Sequence, residues 1–267
     1  MLAAQRHQLI VEEIRRQGAV RVSELTELLA VSEMTIRRDL DALAAAGLLE
    51  KVHGGATTRG RLSADEPGFE AKSHRQLREK EAIARAAAQL VEPGQSIALT
   101  AGTTTFHLAH HLAHVPDLTV VTNSIQVANV LHREPRPDLT VVLTGGVRTP
   151  SDALVGPVAL TAIRSLHLDV LFMGVHGVTT DAGLTTPNLL EAETDRALVA
   201  ASERIVVVAD NTKWGVRGLS RIAGLDEVDV FVSDNGLDSD ARATIGEQVE
   251  RIVIAPARSP RGVAGAA

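Results

Sequence analysis

The sequence predicts an α/β body built on a mostly parallel sheet, with a small N-terminal winged helix-turn-helix head. Three observations carry this. From residue 97 onward, seven short runs rich in Val, Leu and Ile alternate with helical patterns and lack apolar–polar alternation, as parallel strands covered on both faces do. The first sixty residues hold two short helical stretches with capping residues, a tight turn between them and a Gly-Gly hairpin. Charge divides at the same place: residues 1–61 carry 9 Lys/Arg against 8 Asp/Glu, the remainder 18 against 25. A mildly basic head on an acidic body points to two tasks.

In the head, "AQRHQLIVEEIRRQ" (residues 4–17) sets Leu9, Ile10 and Ile14 along one helical stripe, and Gly18 stops it. Ser23 is the expected N-cap of a short helix that carries Leu25, Leu28 and Leu29 inward. Val31 occupies the tight turn, and Ser32 caps the next helix with Glu33 in its first turn, where the helix dipole favours an acid. There Ile36, Leu40 and Leu43 fall at i, i+4 and i+7 and must face the core. Glu33, Met34, Thr35, Arg37 and Arg38 are left outward near the N-terminal end, the part of a recognition helix that meets base edges in the major groove. Gly47 ends the helix, and "LLEKVHGGA" predicts a strand, a Gly-Gly turn and a return strand. This is a wing, with Lys51 and His53 placed to reach phosphate or the minor groove. The expected DNA-contacting set is therefore Ser32, Glu33, Met34, Thr35, Arg37, Arg38, Lys51 and His53. An amphipathic hairpin at a subunit interface would share the periodicity, but not two caps, a tight turn and a wing together.

Residues 58–75 are polar, mixed in charge and broken by Gly60, Pro67 and Gly68, which predicts a linker. The apolar runs beyond it are Ile97–Thr100, Leu118–Thr122, Leu139–Thr144, Val170–Gly174, Ile205–Ala209, Val228–Val232 and Ile252–Ile254. Their continuations include "TAGTTT", "TNS", "TGGVR", "GVHG", "ADNTKWG" and "SDN". In an open parallel sheet the C-terminal strand ends line one edge, where ligands bind. Gly, Asn, Thr and Asp also populate αβ loops for turn chemistry alone. As a set, with Thr103, Thr104 and Thr105 opening a helix behind Gly102, they predict a phosphorylated small ligand at a helix N-terminus. Lys213 and Arg148 supply the positive charge. The expected ligand set is Thr100, Gly102, Thr103, Thr104, Thr105, Asn123, Ser124, Gly145, Gly146, Arg148, Glu191 and Lys213. The organisation expected is a head over 1–57, a linker over 58–75, an effector-binding and oligomerisation body over 76–255 and a disordered tail over 256–267.

Composition narrows the function classes. Aromatic residues are 2% and Tyr is absent, so base or sugar stacking is an unfavoured route to recognition. With no Cys, disulfides, thiolate zinc sites and cysteine nucleophiles are excluded. Arg6, His7, Glu12 and Glu13 break the N-terminal apolar pattern, which does not read as a signal peptide, and no apolar run is long enough to span a bilayer. A cytoplasmic protein with no membrane partner is expected. His107, His111 and His114 recur at i, i+4 and i+7 with His110 beside them, but no carboxylate or Cys completes a ligand set in that stretch. GxSxG, Walker A and GxGxxG motifs are missing, and "DEVDVFVSDNGLDSD" lacks the EF-hand spacing. No catalytic residue, metal or cofactor is expected.

The stretch "VSELTELLAVSEMTIRRDLDALAAAGLLEKVHGGA" resembles, without gaps, the DNA-binding signature of the DeoR family of bacterial transcriptional regulators. "AGTTTFHLA", "TNSIQVANVL", "TGGVR…LVGPVA", "GLTTPNLLEAE" and "VADNTKWG" resemble that family's effector domain, in order, so the likeness spans nearly the whole chain. The resemblance implies that Thr35, Arg37 and Arg38 contact DNA and that Ile36 and Leu40 pack. It implies a body related in fold to ribose-5-phosphate isomerase and CoA transferases that binds a phosphorylated sugar or sugar-derived metabolite. Two positions depart from the family pattern. Thr100 stands where an acidic residue usually precedes the Gly-Thr-Thr loop, and Asp195 stands where many members have Lys.

The resulting expectation is a repressor of carbohydrate or polyol genes, a homodimer or homotetramer, bound to a double-stranded operator and released by a phosphorylated sugar or polyol. The rival reading is a sugar-phosphate isomerase with an accessory DNA-binding head. Its proton transfer would need a base, for which Glu191, Glu193 and Asp210 are the candidates.

Overall fold

The computed structural model describes residues 2–17, 19–46, 48–52, 54–57, 68–133 and 136–257. The helix stops read at Gly18 and Gly47, the DNA contact at His53, the linker over 58–67 and the tail from 258 lie outside the described residues. The chain divides into two compact units, residues 1–61 and residues 62–267.

The first unit runs α1 (Ala3–Gln17), β1 (Ala19–Arg21), α2 (Val22–Leu29), α3 (Glu33–Ala45), β2 (Glu50–Val52) and β3 (Gly55–Thr57). Its core is Ile10, Ile14, Val20, Val22, Leu25, Leu29, Ile36, Leu40, Leu43, Leu49 and Ala56. Two leucines expected inside are not: Leu9 is 42% and Leu28 59% exposed. In each helix an i, i+4 pair (Ile10/Ile14, Leu25/Leu29) already fills the buried stripe, and the adjacent leucine lies about 100° round the helix. Ser23 is not the cap of α2 either. The helix starts earlier because the Glu24 carboxylate accepts the Arg21 N–H at 2.9 Å. Ser32 does cap α3, its Oγ accepting the Thr35 N–H at 3.3 Å.

The wing is a three-stranded antiparallel sheet in the order β1-β3-β2. Lys51 lies opposite Ala56 in the β2–β3 hairpin, and Val20 opposite Ala56 on the other side. The two turn glycines differ in purpose. Gly54 has φ +79°, whereas a side chain at Gly55 would come within 2.2 Å of the Val20 carbonyl.

The second unit begins with α4 (Phe69–Ser73) and α5 (Leu77–Ala88). The linker read as far as residue 75 therefore ends earlier. Gly68 opens α4, the Phe69 N–H donates to Pro150 O at 3.1 Å, and the Phe69 ring meets Phe106 edge-on at 5.5 Å. An apolar ring anchors what the composition reads as a polar connector.

There follow β4 (Ser96–Leu99), α6 (Thr103–His111), β5 (Leu118–Thr122), α7 (Ile125–His132), β6 (Leu139–Leu143), β7 (Val147–Arg148), β8 (Leu154–Val155) and α8 (Pro157–Ile163). The chain continues through β9 (Leu168–Met173), β10 (Gly177–Thr179), β11 (Gly183–Thr186), α9 (Leu189–Ala200), β12 (Ser202–Val208), β13 (Ser220–Ala223), β14 (Val230–Asp234), α10 (Ser239–Gly246) and β15 (Arg251–Ala255). Each of the seven runs predicted from sequence forms a strand of one parallel sheet, ordered β15-β14-β12-β9-β4-β5-β6. The strands feed both faces. Ala98, Leu171, Val207 and Phe231 enter one apolar cluster, and their neighbours Ile97, Val170, Val206 and Val230 enter the other. Two small antiparallel sheets, β10-β11-β13 and β7-β8, have no counterpart in the sequence reading; their strands are two to four residues long.

Strand order reverses beside β4: the chain moves outward through β5 to β6, then returns to β9 on the other side of β4. The C-terminal ends of β4 and β9 thus flank a topological switch point, where an open α/β sheet leaves a crevice.

Candidate DNA-binding face and candidate ligand cavity

In the first unit Ser32, Glu33, Met34, Arg37 and Arg38 are exposed and Thr35 is half-buried. Ser32 Oγ and Thr35 Oγ1 lie 3.0 Å apart at the helix start. Arg37 reaches Glu33 at 3.5 Å, a solvent-exposed i, i+4 pair that is readily exchanged for a phosphate or a base. Lys51 is ion-paired with Asp41, so the wing lysine is tethered to α3. Asp39, buried on the opposite face of α3, accepts from Arg6 at 2.9 Å and contacts His7 Nε2 at 2.9 Å. The Arg6 guanidinium beside it holds the Asp39 carboxyl below the usual range, with His7 adding to the effect. This cluster ties α3 to α1.

In the second unit a cavity of about 70 Å³ opens at the switch point. It is lined by Gly102, Thr103 and Thr104 after β4, by Gly174, Val175 and His176 after β9, by Val208 at the end of β12, and by Ala209 and Lys213 beyond it. Lys72 of α4, Ser151, Thr186, and Glu191 and Asp195 of α9 complete the polar lining. Five of the twelve residues expected to hold a ligand meet there: Gly102, Thr103, Thr104, Glu191 and Lys213. The N-terminus of α6 offers backbone N–H groups that have no carbonyl partner within the helix, together with a partial positive charge. Lys72 and Lys213 stand near it, and Lys72 Nζ donates to Ser151 Oγ at 2.8 Å. Burial brings the amine of Lys80, behind the cavity on α5, down to about 8; Asp210 opposes this, and Lys213, Lys72 and Arg75 reinforce it. Four cations thus share one neighbourhood, which is an environment for an anion.

The other seven residues hold the frame. Thr100 is buried and its Oγ1 accepts the Gly174 N–H at 3.1 Å, joining the ends of β4 and β9. Thr105 Oγ1 donates to Gly102 O at 3.0 Å. Asn123 Oδ1 accepts the Ala101 N–H at 2.9 Å and so shapes the loop from behind, while Ser124 caps α7. Gly145 and Gly146 lie between β6 and β7 outside the cavity lining, and a side chain at Gly146 would come within 2.4 Å of Val155 O. Arg148 is drawn to Asp152 at 2.5 Å and does not line the cavity, so Lys213 is the expected cation that does. Of the three acids considered as bases, Glu191 lines the cavity, where Thr149 Oγ1 donates to it at 2.6 Å. Asp210 caps a short helical turn through Thr212 N–H at 3.1 Å, and Glu193 is not among the lining residues.

Sequence reasoning missed Lys72, Ser151, His176 and Thr186, and it singled out Asp195 only for its departure from the family pattern. The histidines of α6 do find a carboxylate, from the neighbouring helix: Glu81 of α5 lies 2.8 Å from His111 and 3.5 Å from His107. Among the described residues no group of three such side chains is arranged to hold a metal ion.

Comparison with known proteins covers both units. The DeoR-like helix-turn-helix domain matches residues 6–60, and the DeoR C terminal sensor domain matches residues 75–235. The chain is 37% identical over 255 residues to the uncharacterized HTH-type transcriptional regulator YgbI of Escherichia coli, covering 95% of this chain and 98% of that one. It is 38% identical over 249 residues to the HTH-type transcriptional regulator GlpR of Haloferax volcanii, covering 92% and 95%. To the glycerol-3-phosphate regulon repressor of Escherichia coli it is 34% identical over 235 residues, covering 88% and 92%. Among solved structures, ribose-5-phosphate isomerase A of Neisseria gonorrhoeae shares 20% identity over 52% of this chain and 53% of that one at a TM-score of 0.38, too slight a likeness to bear on activity. With a helix-turn-helix head and a sensor unit both matched, and full-length relatives above 30% identity, the chain belongs to the DeoR family of transcriptional regulators.

Proposed function

We propose that this regulator is a repressor of carbohydrate or polyol genes, that it binds a double-stranded operator through α3 and the wing, and that a phosphorylated sugar or polyol in the switch-point cavity releases it. The observation that carries this reading is the convergence of the α6 N-terminus with Lys213 and Lys72 on one cavity. Relatives named as regulon repressors, one of them for glycerol 3-phosphate, point the same way. The phosphate sits at Gly102, Thr103 and Thr104, with Lys213 as its cationic partner.

The cavity is small. About 70 Å³ holds a few waters, whereas ligand pockets generally run to several hundred. A sugar phosphate enters only if the walls part, so the ligand favours a widened state over this one. That difference in affinity is what lets a ligand act on DNA binding by the other unit. The operator is read by two or more heads in a homodimer or homotetramer, because one head of small net charge binds weakly and paired half-sites multiply affinity. Among the described residues no helix is long and apolar enough to cross a membrane, and a cytoplasmic site of action follows from the DNA partner.

The test is release of an operator fragment, followed by fluorescence anisotropy, across a panel of pentose, hexose and polyol phosphates. Thr104→Glu places a negative charge at the phosphate position and makes the protein a super-repressor that stays bound at ligand concentrations that free the wild type. Wild-type-like release of Thr104→Glu would put the phosphate somewhere else.

A further inference from the structure

The cavity must widen to admit a sugar phosphate, and its walls are not equally held. The loops after β4, β9 and β12 sit on strands paired on both sides in the parallel sheet, and the Thr100 hydroxyl joins two of them. α9 keeps Ala192, Thr194, Asp195 and Leu198 buried. α4 differs. It is five residues long and none of them is buried, yet Phe69 and Lys72 line the cavity. A short element with no buried side chain opens at the least cost.

The contacts of α4 set the direction of that opening. At its C-terminal end the buried Lys80 amine donates to the Lys72 carbonyl at 2.7 Å. At its start the Phe69 N–H donates to Pro150 O at 3.1 Å, and the half-buried Phe69 ring meets Phe106 of α6 edge-on at 5.5 Å. A bond from a buried ammonium is stronger than one between neutral groups, so the Phe69 end is the one that yields. Lys72 Nζ donates to Ser151 Oγ at 2.8 Å, a neutral acceptor that a phosphate outcompetes. We propose that α4 is the wall that parts: the ligand phosphate draws Lys72 from Ser151, the Phe69 end swings away from Phe106 and Pro150, and the space it leaves admits the sugar. This rests on the reading of Gly102–Thr104 and Lys213 as the phosphate site. In chain order α4 is the first described element after the wing strand β3, so the swing displaces the end of the segment that leads to the head. The edge-on pair of Phe69 and Phe106 belongs to the closed state and is the latch that holds it.

Two measurements on the full chain test this, with glycerol 3-phosphate, ribose 5-phosphate and glucose 6-phosphate as the probes. Hydrogen exchange resolved to single amides reads the swing in the wild type and needs no variant. With a probe that binds, the Phe69 amide exchanges at least about tenfold faster as its bond to Pro150 O opens, while the amides of Thr103 and Thr104 slow. Calorimetry on Phe106→Leu, checked for folding by its thermal transition, reads the latch. Leucine keeps apolar bulk and loses the edge-on pair, so the open state is more populated and the probe binds roughly two- to tenfold tighter than to wild type. Correspondingly less of it frees the operator. A merely structural defect would weaken the probe instead. A Phe69 amide that slows or keeps its rate on binding, or a probe that binds Phe106→Leu no tighter than wild type, overturns α4 as the moving wall and leaves the phosphate site standing. If none of the three probes binds the wild type, the phosphate site itself fails and the swing falls with it.

Discussion

On the DNA-binding head, Arg37 and Arg38 are consecutive residues exposed on one helix, which a partly buried cluster of Asp39, Arg6 and His7 ties to α1. The switch-point cavity of the sensor unit is assembled differently. It takes Lys72 from α4, the Gly102–Thr104 loop from the end of β4, His176 from beyond β9, acids from α9 and Lys213 from beyond β12, and each of them is buried or half-buried. A surface built to meet a long rigid polyanion needs charges that stand out from one element. A cavity that must report a small anion needs groups from several elements, because only then does filling it move those elements relative to each other.

The comparison predicts that damage to the head is local and damage to the cavity is conditional. The largest effect is expected from the double replacement Arg37→Ala with Arg38→Ala. A bidentate arginine–guanine contact is worth ~1–3 kcal/mol, so loss of both arginines weakens the operator by roughly two orders of magnitude or more. An arginine that meets phosphate alone lowers affinity evenly across sequences and takes about one unit from the salt slope. Operator binding that survives both replacements would remove α3 from the interface.

Lys213→Ala comes next, and its effect is conditional. A hydrogen bond to a charged group contributes ~1.5–3 kcal/mol, so ligand affinity falls by about one to two orders of magnitude while unliganded protein holds its operator as before. Equal loss of ligand and operator affinity would erase the distinction between the two units.

Such a difference in assembly also governs what the chain discloses before folding. The buried and exposed faces of α3 were legible because Ile36, Leu40 and Leu43 lie within two turns of Arg37 and Arg38, so periodicity alone separates inside from outside. The seven strands were legible because each is an apolar run without alternation, even the edge strands β6 and β15, which are only partly buried. Half of the cavity was not. Lys72 lies in a stretch that reads as linker until Phe69 packs on Phe106, and Ser151 and His176 reach the site only through the return of the sheet to β9. Arg148 misled in the opposite sense, although Asp152 four residues on was the available warning. Leu9 and Leu28 misled because a stripe two residues wide leaves a third leucine outside.

Two smaller effects sharpen the comparison through pH. Asp39 has its folded pKa lowered by Arg6 and then by His7, so its contribution to the head is fully present above the unfolded Asp pKa near 4 and is lost as pH falls through the folded value. Asp39→Asn should lower the melting temperature of the head at neutral pH and flatten its acid dependence; an unchanged acid profile would detach Asp39 from the anchoring of α3. Lys80 carries a linkage of the same sign in a more alkaline window. With its amine at about 8 when folded and near 10.5 when unfolded, the unfolded chain binds the extra proton between those values, so the sensor unit gains stability as pH rises through that window. Lys80→Met should remove that rise, and a rise of equal size in the variant would place its source elsewhere.

The most direct test of the central claim, that the cavity and the recognition helix are coupled, is a thermodynamic cycle. The affinity of whichever phosphorylated ligand releases the operator is measured by calorimetry on the free protein and on protein saturated with operator DNA. Coupling requires that the operator weaken the ligand by the same factor by which the ligand weakens the operator. Equal ligand affinity in the two states would show that the cavity, whatever it binds, does not speak to the DNA-binding head.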